Sequence, residues 1–168
     1  MSPSSSPSTQ LAPRARSFWA EFQSTLGSDA SARLYESFHF GDSPSLADEL
    51  ADLVVAGTKR ATAGLLWSHE ADGKPLPRPG ELSIVERGSG EPVCIIETVS
   101  VAVLPFAEVG AEFAANAGEG DGSLAHWRAG HWAYFGRECA RLGKEPGPGM
   151  PVVCECFKVV YRARGSAP

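Results

Sequence analysis

The sequence predicts an α+β fold in which a mixed β-barrel, or a strongly curved sheet, is surrounded by peripheral helices. Strand-like segments outnumber helical ones, and hairpins and loops join them. The repeated strand–helix–strand alternation of a parallel sheet is absent, and no internal repeat is found. With 168 residues, 43% of them hydrophobic, the chain has the size and composition of one globular domain with a sizeable core.

A single domain is predicted over residues 17–162, between two short terminal segments. Residues 1–16 are dominated by Ser and Pro, which is the composition of a disordered leader. Residues 163–168 are predicted to form a flexible tail. The domain is expected to begin with a helix over 17–26, because aromatic and leucine side chains recur there at helical spacing before Gly27.

The next elements surround the most informative stretch of the chain. Residues 34–40 alternate apolar and polar side chains, which predicts a strand. A helix is expected over 45–56, where leucines recur at helical spacing after Ser43, a good N-cap residue. Gly57 offers a left-handed C-cap, and residues 58–67 have the threonines and the apolar end of an extended segment that enters the core.

The second half predicts a hairpin with a Gly-Ser-Gly turn, then a short helix, a long helix and a last strand. A loop rich in Gly and Pro precedes the hairpin. The loop covers residues 69–80, and the hairpin strands cover 82–86 and 93–101. The two helices cover 106–113 and 123–142, and the last strand covers 152–161.

Charge and hydropathy restrict the classes of function. The net charge of −5 argues against broad, charge-driven binding to a nucleic-acid backbone, although it leaves room for one local basic pocket. No apolar run approaches the length of a bilayer-spanning helix, and the N-terminus lacks the hydrophobic centre of a signal peptide. We therefore expect a soluble, cytoplasmic protein.

The cysteines favour a structural role over a chemical one. The chain has four, at positions 94, 139, 154 and 156, and no Cys-x-x-Cys pair. They are interpreted as small buried hydrophobic residues in a reducing compartment. A metal site is the alternative, but no pair of His or Cys residues has the spacing of zinc ligands. No metal and no cofactor are expected.

Residues 57–62, with the sequence GTKRAT, place two cations and two hydroxyls where the predicted helix gives way to the extended segment. Lys59 and Arg60 could simply complement the negative end of the helix dipole, which is worth a few tenths of a kcal/mol. Alternatively, Lys59 and Arg60 with Thr58 and Thr62 form part of a binding or catalytic site, because such sites are often built at element ends.

Five ordered segments together resemble the ASCH domain family. They are FHFGDSP at 38–44, AGTKRAT at 56–62, IIET at 95–98, EGDGSLAHW at 119–127 and PVVCE at 151–155. The resemblance extends from about residue 35 to residue 161. It implies a PUA-like fold, a mixed β pseudo-barrel with helices around it, and a cleft for RNA or a modified nucleoside rather than for DNA or a membrane.

One branch of this family hydrolyses N4-acylated cytidines with a Lys, a Thr three residues later and a downstream Glu. The resemblance assigns these positions to Lys59, Thr62 and Glu119, with Arg60 as a neighbouring cation. A hydroxyl needs a base to become a nucleophile, and a desolvated lysine can supply one. The other interpretations are an ordinary strand threonine for Thr62 and a solvated loop carboxylate for Glu119.

Two alternatives for the function stay open. A second branch of the family cleaves single-stranded RNA, and Lys59 with Ser123 matches its functional positions, although Ser123 is also a natural N-cap. In a non-catalytic RNA-binding module, Lys59 and Arg60 would only contact phosphate. The oligomeric state cannot be read from the sequence.

Aromatic residues are candidates for contact with a base. Trp67 and Trp127 could stack on one, but each is equally consistent with a place in the core. His131 lies in the apolar stripe of the long helix, which favours a hydrogen-bonded core histidine over a role in a cleft.

Overall fold

The computed structural model of the protein describes residues 10–165. The helices of this part of the chain are α1 Pro13–Ser24, α2 Pro44–Val55, α3 Leu66–Ala71, α4 Ala111–Ala117 and α5 Leu124–Leu142. The strands are β1 Leu34–Phe38, β2 Ala61–Leu65, β3 Leu82–Glu86, β4 Pro92–Pro105 and β5 Pro151–Arg162. Together they confirm the predicted α+β class.

The strands form one mixed sheet in the order β1-β3-β4-β5-β2. Strand β1 pairs in parallel with β3, and the other neighbours are antiparallel. The pairing of β4 with β5 shifts register between Ile95 and Ile96 and again between Thr98 and Ser100. Such irregularities bend long strands and increase their twist. The sheet therefore curves, and the edge strands β1 and β2 contribute to the wall of one cavity.

Three apolar clusters hold the helices on the sheet. Helix α1 packs Phe18 and Phe22 against Tyr161 of β5, with ring centroids 5.3 and 5.5 Å apart. Helix α2 packs Val54 on the middle of the sheet, and α5 packs Phe135 near the β2 edge. Each such buried side chain contributes about 1.5–3 kcal/mol of hydrophobic free energy. These helices surround the sheet and fix its curvature.

The boundaries of the domain differ from the predicted ones at the N-terminus. Helix α1 begins at Pro13, and Ala15 is fully buried, so residues 13–16 belong to the folded domain and not to a leader. Proline suits the first turn of a helix because its missing N–H has no partner there anyway. At the other end, Ala163 still donates a backbone hydrogen bond to Val93. Positions 1–9 and 166–168 of the predicted leader and tail lie outside the described residues.

The largest difference from the predicted elements follows β2. The strand ends at Leu65, and the short helix α3 occupies Leu66–Ala71, where an extended segment and the start of a loop were expected. An apolar run of this length suits a strand and a buried helical turn equally well, and tertiary packing decides between them. The side chain of Trp67 consequently packs against the α5 side of the core.

The expectation that the cysteines are buried free thiols is met at three of the four positions. Cys94, Cys139 and Cys154 are buried free thiols, and Cys156 is half-buried. Burial raises the pKa of Cys94 to about 12 and that of Cys154 to about 11, so both thiols stay protonated. No helix among residues 10–165 is long and apolar enough to cross a membrane.

Candidate functional site

A central cavity of about 500 Å³ lies between the edge strands β1 and β2, the strand β5 and the helices α2 and α5. Its aromatic wall comprises Tyr35, Phe38, Phe40, Trp127 and Tyr134. Its volume is within the range of small-molecule sites, which combine apolar walls with a few converging polar groups. Lys59, Thr62 and Glu119 all line this cavity.

The end of α2 positions Lys59. Gly57 has φ +80°, a left-handed conformation that glycine adopts without strain. The N–H groups of Gly57 and Thr58 donate to the carbonyls of Val54 and Leu53, which is the hydrogen-bond pattern of a Schellman motif. The backbone N–H of Lys59 also donates to Leu53. The chain thus reverses at Gly57 and directs Lys59 into the protein.

Lys59 is a buried lysine whose amine has few charged neighbours. Its side chain is 3% exposed, and Nζ donates to the carbonyls of Ala61 at 2.8 Å and Ala117 at 3.3 Å. The Phe40 ring lies 5.4 Å from Nζ. Burial lowers the pKa of Lys59, and the nearby carboxylate of Glu119 partly opposes that shift. A neutral amine with a free lone pair is therefore easier to reach here than in water.

Two glycines bring Glu119 to Lys59. Gly118 ends α4 with φ +66°, and a Cβ atom on it would lie 2.2 Å from the carbonyl oxygen of Thr58. The backbone of Gly118 therefore rests directly on the GTKRAT motif. Gly120 has φ +59°, and a Cβ atom there would lie 2.3 Å from Nε2 of His126. Both glycines have positive φ, and the one at position 118 also meets fixed backbone, so Glu119 is held between two positions that favour glycine.

Glu119 bridges the lysine and a histidine of α5. One carboxylate oxygen lies 3.9 Å from Lys59 Nζ, and the other lies 4.0 Å from Nε2 of His131. Nδ1 of His131 donates to the carbonyl of Trp127 at 2.9 Å, and Nε2 is the ring nitrogen that faces the carboxylate. Burial lowers the pKa of His131. The Trp127 ring stacks on the imidazole with centroids 4.2 Å apart.

Thr62 and Glu155 form the sheet side of the cavity. Thr62 of β2 is directly opposite Glu155 of β5 in the antiparallel ladder, and both residues line the cavity. The buried hydroxyl of Thr98 donates to Glu155 Oε1 at 2.7 Å. Burial raises the pKa of Glu155, although the hydrogen bond from Thr98 opposes the shift. A nucleophile candidate and a weakly acidic carboxyl group thus share one face of the sheet.

Four of the residues expected to bind substrate do not line the cavity. The side chains of Thr58 and Arg60 are exposed, whereas Lys59 between them is buried. The backbone of Arg60 instead joins α4 to β5, by accepting from Phe157 and donating to Asn116. The pKa of Lys59 is therefore lowered by burial and not by Arg60.

The other two are Trp67 and Ser123. Trp67 lies under Lys144, whose Nζ is 5.0 Å from the ring centroid. Ser123 caps α5 by accepting from the N–H of His126 at 3.1 Å. Trp127, in contrast, both belongs to the core and lines the cavity.

The sequence interpretation missed several residues of the cavity wall. His131 was expected mainly as a core histidine, yet it also lines the cavity together with His126. Glu155 lies in one of the family segments, but nothing in its local sequence marks a site. Glu155 is the single carboxylate of the predicted last strand, which by itself does not distinguish a site residue from an exposed one.

Charged side chains around the cavity are predominantly acidic. Among the described residues, the lining carboxylates are Glu36, Asp42, Glu49, Glu119 and Glu155, and the lining cations are Lys59, Lys74 and Arg137. No group of three or more His, Cys, Asp or Glu residues within 10–165 has the arrangement of a metal site. The cavity therefore suits a ligand that carries little negative charge.

Comparison with known proteins places the chain in a family. The model of the ASCH domain matches residues 36–161. An ASCH domain from Lactobacillus crispatus JV V101 is 36% identical, with a TM-score of 0.85 over 90% of this chain and 97% of that one. A protein from Enterococcus faecalis V583 is 30% identical, with a TM-score of 0.79 over 89% of each chain. No curated protein gave a significant match. The fold is PUA-like, as it is in these structural neighbours, and the chain belongs to the ASCH domain family.

Proposed function

We propose that the protein hydrolyses the N4-acyl amide of an acylated cytidine-type nucleoside in the central cavity. The observation that carries the proposal is the buried amine of Lys59, in the wall of a cavity that Thr62 and Glu119 also line. ASCH domains generally bind RNA, so a nucleoside is a ligand of the expected chemical class. A lysine with a lowered pKa beside a hydroxyl and a carboxylate is a recognised arrangement for proton transfer.

The shape and charge of the cavity favour a nucleoside over a long RNA strand. Its aromatic wall can stack on a base, and stacking needs no particular sequence. With Glu155 and Lys59 counted as neutral, four carboxylates and two cations still line the cavity, and this acidic excess disfavours the repeated phosphates of a polynucleotide. An acylated cytidine without phosphate avoids this repulsion and presents an amide as the bond to be cleaved.

In the proposed first step, Thr62 Oγ1 attacks the acyl carbonyl carbon while Lys59 accepts the hydroxyl proton. A neutral lysine amine has two N–H groups and one lone pair. The N–H groups are directed at Ala61 and Ala117, so the lone pair stays available to accept that proton. The Ala61 carbonyl belongs to the peptide bond that joins Ala61 to Thr62, so the amine contacts the backbone next to the attacking residue.

In the proposed later steps, the tetrahedral intermediate expels the cytosine N4 amine, which takes up the proton held by Lys59. The C–N bond breaks, and the acyl group remains on Thr62 as an ester. Water then adds to the ester carbonyl, and the carboxylic acid leaves as the Thr62 hydroxyl is restored. Glu119, between Lys59 and His131, is the group that polarises this water or assists protonation of the leaving amine.

The alternative activities require an accessible Ser123 hydroxyl or an accessible Lys59 amine. The ribonuclease interpretation requires Ser123, but its hydroxyl caps α5 and lies outside the cavity wall. The binding-module interpretation requires Lys59 to contact phosphate, yet its amine is buried and bonded to two carbonyls. Both observations favour the hydrolase, and incubation with labelled single-stranded RNA tests the ribonuclease directly.

The experiment is a turnover assay with purified protein and N4-acetylcytidine, followed by chromatography of cytidine and acetate. We expect the wild type to release both products, and Lys59→Met to reduce the rate by about 10²–10⁴-fold. Arg60→Met is the matched control, since its exposed side chain lies outside the cavity. Equal loss in both variants, or no turnover of any acylcytidine by the wild type, would overturn the proposal.

A further inference from the structure

We propose that Glu155 determines which pyrimidine the cavity accepts, by donating a hydrogen bond from its protonated carboxyl group to N3 of the cytosine ring. This inference rests on the proposed function for the identity of the ligand, but it assigns a residue and an atom that the hydrolysis mechanism does not use. It makes Glu155 a specificity-determining residue and not a catalytic one.

The position of Glu155 relative to Thr62 fixes which part of the ligand it can reach. Residues that are directly opposite in an antiparallel pair share one face, with Cβ atoms about 4.5–5.5 Å apart. In N4-acylcytosine, N3 is separated from the acyl carbon by three covalent bonds, through N4 and C4. A ligand whose acyl carbon meets Thr62 Oγ1 therefore has N3 close enough to reach the neighbouring strand at Glu155.

The protein orients the Glu155 carboxyl group through a hydrogen bond to one of its two oxygens. Thr98 donates to Oε1 at 2.7 Å, and Thr98 itself is buried at 2% exposure. Among the hydrogen bonds of residues 10–165, this is the only one to the Glu155 carboxyl group. The second oxygen, Oε2, is left for a ligand in the cavity that Glu155 lines.

The surroundings of Glu155 favour its protonated form. Burial raises its pKa most, and the nearby carboxylates of Glu36 and Glu81 raise it further. The hydrogen bond from Thr98 and the charge of Lys74 act in the opposite direction, but Lys74 is itself paired with Glu36. The phenol of Tyr35 also faces this group, and burial raises its pKa. The charged and titratable groups that surround Glu155 are thus Tyr35, Glu36, Lys74 and Glu81.

A protonated carboxyl group distinguishes the two common pyrimidines. N3 of cytosine is an acceptor, whereas N3 of uracil carries a hydrogen and is a donor. Two donors that face each other leave both unsatisfied in a partly buried site, which disfavours uridine. As the pH rises through the raised pKa of Glu155, the carboxyl group loses its proton, and the preference for cytosine should be lost.

The test measures the binding of cytidine, 3-deazacytidine and uridine by isothermal titration calorimetry. 3-Deazacytidine has a carbon in place of N3, so it reports binding without this hydrogen bond. We expect the wild type to bind cytidine about tenfold more tightly than 3-deazacytidine at mildly acidic pH, and to bind uridine weakly. The ratio should fall at alkaline pH.

Two variants assign the preference to Glu155. Glu155→Gln keeps an N–H donor at every pH and can still accept from Thr98, so its cytidine preference should persist and become independent of pH. Glu155→Leu removes the donor, and it should bind cytidine and 3-deazacytidine equally while keeping the wild-type affinity for 3-deazacytidine. That affinity also reports that the Leu variant is folded.

Two results would overturn the inference: an equal affinity of the wild type for cytidine and 3-deazacytidine, or an unchanged preference in Glu155→Leu. The turnover assay separates this inference from the proposed function. Loss of N3 preference with intact hydrolysis overturns only the role of Glu155. Absence of hydrolysis with the N3 preference intact overturns only the hydrolase.

Discussion

Replacing Lys59 with methionine should change how the free energy of unfolding depends on pH. The lysine side chain is 3% exposed, and burial lowers its pKa in the folded state from the ordinary value of 10.5. Between the lowered pKa and 10.5, the unfolded chain carries a proton that the folded protein lacks. The free energy of unfolding of the wild type therefore rises with pH across this window. The methionine side chain is similar in length to that of lysine but has no group that titrates, so the variant lacks this contribution to the pH dependence.

The structure sets the size of the effect. One proton bound only by the unfolded chain gives a slope of up to about 1.4 kcal/mol per pH unit. The hydrogen bonds from Nζ to Ala61 and Ala117 add about 0.5–1.5 kcal/mol each to the stability of the wild type. Their loss shifts the whole curve of Lys59→Met, whereas the missing proton removes the slope. The two contributions are thus separable in one experiment.

The assay is urea unfolding under reducing conditions at a series of pH values from neutral to 10.5, for the wild type, Lys59→Met and Arg60→Met. Other groups titrate in all three proteins, so only the difference from the wild type is interpreted. Arg60→Met removes an exposed cation, so its plot of unfolding free energy against pH should run parallel to that of the wild type. A Lys59→Met curve that also runs parallel would refute the reasoning, because it would mean that folding leaves the pKa of Lys59 unchanged.

Three further predictions concern the loop between α4 and α5. Glu119→Gln should reduce hydrolysis by about 10²–10⁴-fold and move the acidic limb of the pH–rate profile to lower pH, because Glu119 raises the pKa of Lys59; an unmoved limb would contradict the coupling. Gly118→Ala should destabilise the protein more than Gly122→Ala in thermal unfolding. In both variants the left-handed backbone costs alanine about 1–2 kcal/mol of stability. Only the Cβ atom at position 118 also clashes with the Thr58 carbonyl. Ser123→Ala should cost about 1 kcal/mol in urea unfolding through loss of the N-cap; lost ligand binding at unchanged stability would contradict that role.

Capping residues made the helices α2 and α5 predictable. Ser43 and Ser123 accept from the N–H three residues on, and Gly57 ends α2 with a positive φ, as expected from their types. Capping is local chemistry, so it can be read from a few neighbouring residues. The short helix α3 could not be recognised in this way, because its conformation is decided by packing against α5 and β5.

The candidate site was predictable only in part. The GTKRAT motif and the family segments identified Lys59, Thr62 and Glu119, and the structure brings these residues to one cavity. The sequence could not show that Arg60 points to solvent, since packing in the folded protein decides which of two adjacent cations is buried. It also could not show Glu155 opposite Thr62, because the pairing of distant strands is set by the whole sheet.

An acyl-enzyme on Thr62 is the direct product of the first half of the proposed hydrolysis. N4-Acetylcytidine is mixed with the wild type, Thr62→Ser and Thr62→Val, the reaction is quenched in acid, and the peptide that contains residue 62 is examined by mass spectrometry. Valine matches threonine in shape but lacks the hydroxyl, whereas serine keeps it. The account predicts an acetyl group on residue 62 in the wild type and in Thr62→Ser, and neither acetylation nor turnover in Thr62→Val. Undiminished turnover by Thr62→Val would contradict it.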